Sequence, residues 1–211
     1  MIERSQTLRE EIANSIAHGV FLLFAIIGSP FLIAKSIEAK DNLVVITAAI
    51  FAAAVIFVYL VSTIYHAMPK NRAKEILRLV DYGAVYLLIA GTYTPIALNV
   101  IGGGAGMALF AAEWILAITG IIFLYYTGLK HKGVLVLFYL IMGWLILFAI
   151  KPLWFSLPVW GIFWIFAGGL AYTLGIPFYR LSHLNFRHFI WHIFVVAGTA
   201  CHSVAVFKYA V

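Results

Sequence analysis

Apolar residues run along this 211-residue chain in seven long stretches, separated by short polar turns. Each stretch is near the roughly 20 residues that a helix needs to cross the hydrocarbon core of a bilayer. The first covers about Ile12 to Ala34, with Pro30 near its far end, and a polar turn follows from Lys35 to Asn42. The second covers about Leu43 to Tyr65 and reaches His66; the most basic loop, with Lys70, Arg72, Lys74 and Arg78, comes next. The third covers about Leu79 to Ile101, with a kink expected near Pro95. Gly102-Gly103-Gly104 reads as a tight turn; it lacks the strand-to-helix setting and the Lys-Ser/Thr ending of a phosphate loop. The fourth covers about Met107 to Thr127, before Lys130-His131-Lys132. The fifth covers about Gly133 to Ile150 and stops at Lys151-Pro152, the sixth about Leu153 to Tyr179, and the seventh His188 to about Phe207. The expected fold is all-α and integral to the membrane: one domain, residues 1–211, built as a seven-transmembrane helix bundle. No internal repeat, long linker or low-complexity tract interrupts it.

Composition supports this reading. Hydrophobic residues make up 64% of the chain and charged residues 10%, more apolar side chain than a soluble domain of this size could hide. Lipid as solvent removes that difficulty, provided every backbone polar group is satisfied within helices. The net charge of +6 therefore does not point to nucleic acid, because the basic residues sit in the turns, where they set orientation. Seven spans place the termini on opposite sides. The N-terminal tail and the loops after spans two, four and six carry ten Lys and Arg; the other side carries four. The positive-inside rule then puts the N-terminus in the cytoplasm and the C-terminus outside, in the plasma (inner) membrane. A cleavable signal peptide is not expected, since the first span is too long and Glu3, Glu10 and Glu11 precede it. The single cysteine, Cys201, allows neither an internal disulfide nor a thiolate metal cluster.

Against this background the polar residues inside the spans stand out. His188 and His192 are four apart, which on a helix places both imidazoles on one face. Such groups are costly in a membrane and face a bundle interior or a polar cavity. Threading the chain through the membrane brings others to the same leaflet. His18, with Glu11 and Asn14 at helical spacings before it, lies early in span one. His66, with Ser62 one turn before it, ends span two, and Asp81 opens span three. Three neutral imidazoles suit zinc with a fourth position left open, the pattern of a catalytic site, so the candidate ligands are His66, His188 and His192. Zinc lowers the pKa of a bound water to about 7, and Asp81 is the candidate to accept its proton, assisted by Ser62.

Blander readings exist for each part. An isolated His-x-x-x-His is a weak metal signal, and a serine in a helix often bonds back to its own backbone. Asp81 could cap span three or pair with Arg78, and His18 could be a packing residue. The shared depth is what favours the joint reading. His131 and His183 fall in loops and read as solvated. His202, ten residues beyond His192, is about 15 Å deeper and cannot share its metal. Glu113 lies at a similar distance from the outer surface; both are functional candidates only by default. The many aromatic residues read as lipid-facing or belt positions.

As an ordered set, Glu11-x-x-Asn14-x-x-x-His18, Ser62-x-x-x-His66, Asp81 and His188-x-x-x-His192 with His202 ten residues on resembles the hemolysin III family. That family groups with the progestin and adiponectin receptors (the PAQR proteins) and more distantly with the alkaline ceramidases. The resemblance runs from Glu11 to Val206, without departure at the zinc, serine and aspartate positions. It implies a seven-helix bundle with an inward N-terminus, zinc on His66, His188 and His192, and Ser62 and Asp81 beside the metal-bound water. Glu11, Asn14 and His18 match the family pattern as support of the cytoplasmic pocket.

The leading expectation is a zinc-dependent hydrolase of a lipid amide or ester, ceramidase-like. One alternative is a non-enzymatic sensor or regulator of membrane lipids with structural zinc. Another is a pore-forming or hemolytic membrane protein. The expected partners are membrane lipids and a lipid-like substrate or ligand, not nucleic acid, and a homo-oligomer is a possible assembly.

Overall fold

The computed structural model describes residues 6–180 and 184–211, so Glu3 and His183 lie outside the described residues. Its long helices are α1 (Leu8–Glu38), α2 (Asn42–Ala67), α3 (Arg72–Pro95), α4 (Gly103–Thr127), α5 (Lys132–Trp144), α6 (Ile150–Ser156), α7 (Val159–Arg180) and α8 (Arg187–Tyr209). Among the described residues there is no strand, and six helical runs are long and apolar enough to cross a membrane. One of these runs, Gly103–Ser156, is 54 residues long. That is far more than one crossing requires. It breaks at Gly128, whose φ of +58° sits in the left-handed region that glycine tolerates. Beyond the break α5 packs back along α4, with Phe123 and Phe138 stacked 6.3 Å apart.

Local chemistry sets the helix ends, and it moves several boundaries from those expected. α1 begins at Leu8, because Thr7 and Glu10 form a capping box: the Thr7 hydroxyl accepts from the Glu10 N–H while the Glu10 carboxylate accepts from the Thr7 N–H. Glu11 is thus inside the helix instead of ahead of it. α3 begins at Arg72, seven residues before the expected start. The Asn71 side chain accepts from the Lys74 N–H at 2.9 Å, which caps the first turn. Arg72, Lys74 and Arg78 are therefore helical, and Asp81 lies in the third turn rather than at the cap. Lys151-Pro152 does not stop a span. Pro152 occupies the first turn of α6, where a missing N–H has no intrahelical partner to lose. The true stop is at Leu157-Pro158, after which α7 starts at Val159.

The kink expected at Pro95 takes the form of a π-helical stretch, Ile96–Ile101, in which the Gly102 N–H reaches back to the Ala97 carbonyl at 2.9 Å. Gly102 and Gly103 then turn the chain at positive φ, as the triple glycine suggested.

The helices close into a ring. Neighbours in sequence pack together from α1 to α4, α7 lies along α8, and α8 packs on α1. α5 leans on α3 and α4 but touches α7 only sparingly. At one end of the ring Lys35 donates to the Phe207 carbonyl. There too, Asn99 donates to Thr47 Oγ1 at 2.7 Å and to the Ala210 carbonyl at 2.8 Å. These bonds join the end of α1 and the π-helical stretch to the start of α2 and the C-terminus. The histidines gather at the opposite end.

Candidate metal centre

His66 lies in the last turn of α2, and His188 and His192 lie in the first two turns of α8. The ring closure brings them together: one nitrogen from each falls within 4.8 Å of the others. The ring centroids are 5.2 Å apart for His66 and His188, 4.9 Å for His66 and His192, and 4.4 Å for His188 and His192. Zinc–nitrogen bonds of about 2.0–2.1 Å would draw the nitrogens somewhat closer, within the reach of ring rotation.

The donor set fits a metal on a second ground. His66 Nε2 and His192 Nδ1 are buried with no hydrogen-bond partner. Buried polar atoms rarely go unpaired, and a cluster of them needs an explanation. The partner of the other His66 nitrogen fixes which one is free. The Glu11 carboxylate accepts from His66 Nδ1 at 2.7 Å, so Nε2 is the nitrogen left to face the cluster. The other Glu11 oxygen lies 3.0 Å from Lys74 Nζ. Lys74 also donates to the Tyr65 and Met68 carbonyls, at 3.0 and 2.9 Å, and so caps the open end of α2.

A cavity of about 130 Å³ opens beside the cluster at His188 and His192. His18, Ser62, Asp81, His188 and His192 line its polar end. Ser62 Oγ is buried close to Asp81, which is half-buried in the wall. The cavity runs along α8 between walls such as Val85, Leu88, Leu140 and Ile176 and ends at His202. Tyr82 and Tyr179, with hydroxyls 2.5 Å apart, bridge α3 and α7 beside it, and Tyr139 donates to the Tyr82 carbonyl at 2.7 Å. The volume is comparable to the ~150 Å³ apolar cavity that admits benzene, so it suits a short apolar segment next to a reacting group, not a whole lipid.

The remaining candidates separate. His18 is buried, stacks on His192 at 3.7 Å, and has no partner for either ring nitrogen. Asn14 is buried one turn before it and donates to Gln6 at 2.5 Å. His202 is engaged elsewhere, with Nε2 3.0 Å from the Ile165 carbonyl. Glu113 is fully buried in α4, and neither carboxyl oxygen has a partner, so the two do not pair. His131 is exposed, as expected.

Two residues went unread in the sequence. Lys74 gave no signal, because it reads as one more loop cation. Glu10 did give one, since Thr7-x-x-Glu10 is a capping-box pattern. Its second oxygen also accepts from the Phe186 N–H at 2.8 Å, two residues before His188.

Residues 6–203 match the protein family described as Haemolysin-III related. The chain is 38% identical over 205 residues to "Hemolysin-3 homolog" of Bacillus subtilis (strain 168), covering 97% of this chain and 96% of that protein. It is likewise 38% identical over 200 residues to "Hemolysin-3" of Bacillus cereus, covering 95% and 91%. It is 29% identical over 211 residues to "Monocyte to macrophage differentiation factor" of Homo sapiens, covering 96% and 85%. No solved structure matches the chain. The chain belongs to the Haemolysin-III related family and is a multi-pass membrane protein.

Proposed function

We propose that this Haemolysin-III related protein is a zinc-dependent hydrolase of a lipid amide or ester, acting from the cytoplasmic leaflet of the plasma (inner) membrane. The observation that carries the reading is the cluster of His66, His188 and His192, two of which, His188 and His192, line the polar end of one apolar cavity together with Ser62 and Asp81. In this reading the 54-residue Gly103–Ser156 run, broken at Gly128, crosses twice, for seven crossings in all. The excess of Lys and Arg then favours a cytoplasmic N-terminus and an outside C-terminus.

In this reading His66, His188 and His192 hold the metal. Zinc, when bound, supplies Lewis acidity toward water and toward a carbonyl oxygen. The Asp81 carboxylate takes up the proton released as water attacks the carbonyl and returns it to the amine or alcohol that leaves as the C–N or C–O bond breaks, and Ser62 Oγ orients the attacking water by hydrogen bonding. The apolar walls hold the chain segment next to the scissile bond and exclude bulk water.

Metal content of the detergent-purified protein tests the site. Wild type should hold about one zinc per chain, and His66→Ala and His188→Ala should each lose it. A folded wild type that neither contains nor takes up zinc would sink the proposal. Turnover of lipid amides then tests the chemistry: Asp81→Asn should abolish it, by ~100-fold or more, while zinc stays bound. One other reading draws on an observation, since the ligands come from α2 and α8 and zinc would cross-link them. A structural zinc of that kind in a lipid sensor predicts no turnover with any lipid, and loss of function only where zinc and fold are lost. The hemolysin names of the Bacillus relatives make dye release from liposomes the control for a pore.

A further inference from the structure

α1 supplies none of the three histidines, yet one side of it reaches all three ligand positions. Glu11 accepts from His66 Nδ1 at 2.7 Å. His18, two turns along the same face, stacks on His192 with centroids 3.7 Å apart and planes within 18°. Glu10 accepts from the Phe186 N–H at 2.8 Å. Phe186 precedes α8 at a φ of +55°, a conformation a bulky side chain adopts only where its surroundings hold it. The Glu10 contact thus anchors the backbone two residues before His188.

We infer that α1 is the positioning helix of the metal centre, with Glu11 fixing His66, His18 bracing His192 and Glu10 anchoring the entry to His188. The inference rests on the zinc reading above. Its chemistry is specific at Glu11. A carboxylate can only accept, so it selects the His66 tautomer with the proton on Nδ1 and the lone pair on Nε2. Partners of this kind hold a ligating imidazole in orientation. Lys74, bonded to the other Glu11 oxygen and to two α2 carbonyls, keeps the carboxylate in place relative to the helix that carries His66. His18 acts differently. With both nitrogens unpartnered, its contact to His192 is the ring face, which blocks rotation of His192 away from the cluster.

Glu11→Gln separates positioning from simple support. Its amide oxygen can still accept from Lys74, while its NH2 can donate to His66 Nδ1 and so favour the wrong tautomer. The zinc dissociation constant, measured by chelator competition in detergent, should rise about 10- to 100-fold, as for other partners of metal-bound histidines. The visible absorption of the Co2+-loaded protein should change, and the melting temperature of the metal-stripped protein should stay at the wild-type value. Unchanged zinc affinity and an unchanged Co2+ spectrum would overturn the inference. So would a loss of affinity matched by an equal loss of stability in the stripped protein, which would make Glu11 merely structural. A second pair of variants covers the case in which Glu11→Gln fails to fold. His18→Ala should weaken zinc binding, and His18→Phe, which keeps a ring against His192, should bind more tightly than His18→Ala. Equal affinities in the two variants would overturn the brace. A wild type without zinc is a different result, since it removes the metal reading itself.

Discussion

At one end of the bundle Glu11, His18, His66, His188, His192 and Lys74 are drawn from four helices toward one point. In α4, Glu113 is fully buried, but no other ionisable side chain pairs with it among the described residues, and it lies outside the cavity wall. Sequence alone treats the two alike, because any ionisable group within a span is a functional candidate. The structure separates them by convergence. At the histidine end Glu11 and Lys74 are partnered, and His66 Nε2 and His192 Nδ1 belong to a shared cluster. Around Glu113 the neighbouring contacts are those of tight helix packing: Trp114 Nε1 donates to Thr94 Oγ1 at 3.1 Å, and glycines let α4 approach α3 closely. Burial marks a cost, and convergence marks a site.

The largest effect expected from this contrast is at His192. Its replacement by alanine removes one of three donors and one face of the His18 stack. Zinc content should fall from ~1 per chain to near zero, read by elemental analysis of protein that still elutes as a folded species. Retention of zinc in His192→Ala would break the comparison from the histidine side.

The helix packing beside Glu113 gives an intermediate effect of the opposite kind. A Cβ at Gly106 would stand 2.1 Å from the Ala97 carbonyl oxygen, in the π-helical stretch that follows Pro95. Backbone cannot yield as a flexible side chain does, so Gly106→Ala must push α4 away from α3. Overpacking of this kind costs about 1–3 kcal/mol. A melt in detergent should show the loss, while zinc affinity stays at the wild-type value. A coupled loss of zinc would mean that the two regions act as one unit.

How much of this was visible in the sequence depended on the range of the interaction. Apolar runs fix the existence of the helices, since lipid permits little else. The triad was legible as well, because threading the spans through a membrane assigns depth to His66, His188 and His192 without any knowledge of packing. Helix ends were less legible where polar chemistry overrides hydropathy. Asn71 caps α3 well outside the apolar run, and Pro152 and Pro158 start helices instead of merely ending them. These shifts hid the contacts of Lys74 with Glu11 and the end of α2. Once α3 begins at Arg72, Lys74 becomes a first-turn residue able to reach Glu11 and the end of α2. As a loop residue it had no defined partner. The His18 stack was hidden for another reason, since ring orientation depends on how α8 packs against α1.

Glu113 itself should give the smallest effect, and it offers the sharpest test of the comparison. Gln has nearly the same size and shape as Glu, and there is no ion pair or hydrogen bond at the carboxyl group for the substitution to break. The exchange leaves a buried polar group where one already stood, so the change in stability should stay below ~1 kcal/mol. Zinc affinity should match wild type, because Glu113 lines neither the cluster nor the cavity. Parallel melts and chelator titrations of Glu113→Gln and wild type decide the matter. A destabilisation of several kcal/mol would show that the carboxyl group has a partner that glutamine cannot serve, such as a bound cation. Loss of zinc would show coupling across the bundle. Either result would move Glu113 from the packing side of the comparison to the functional side.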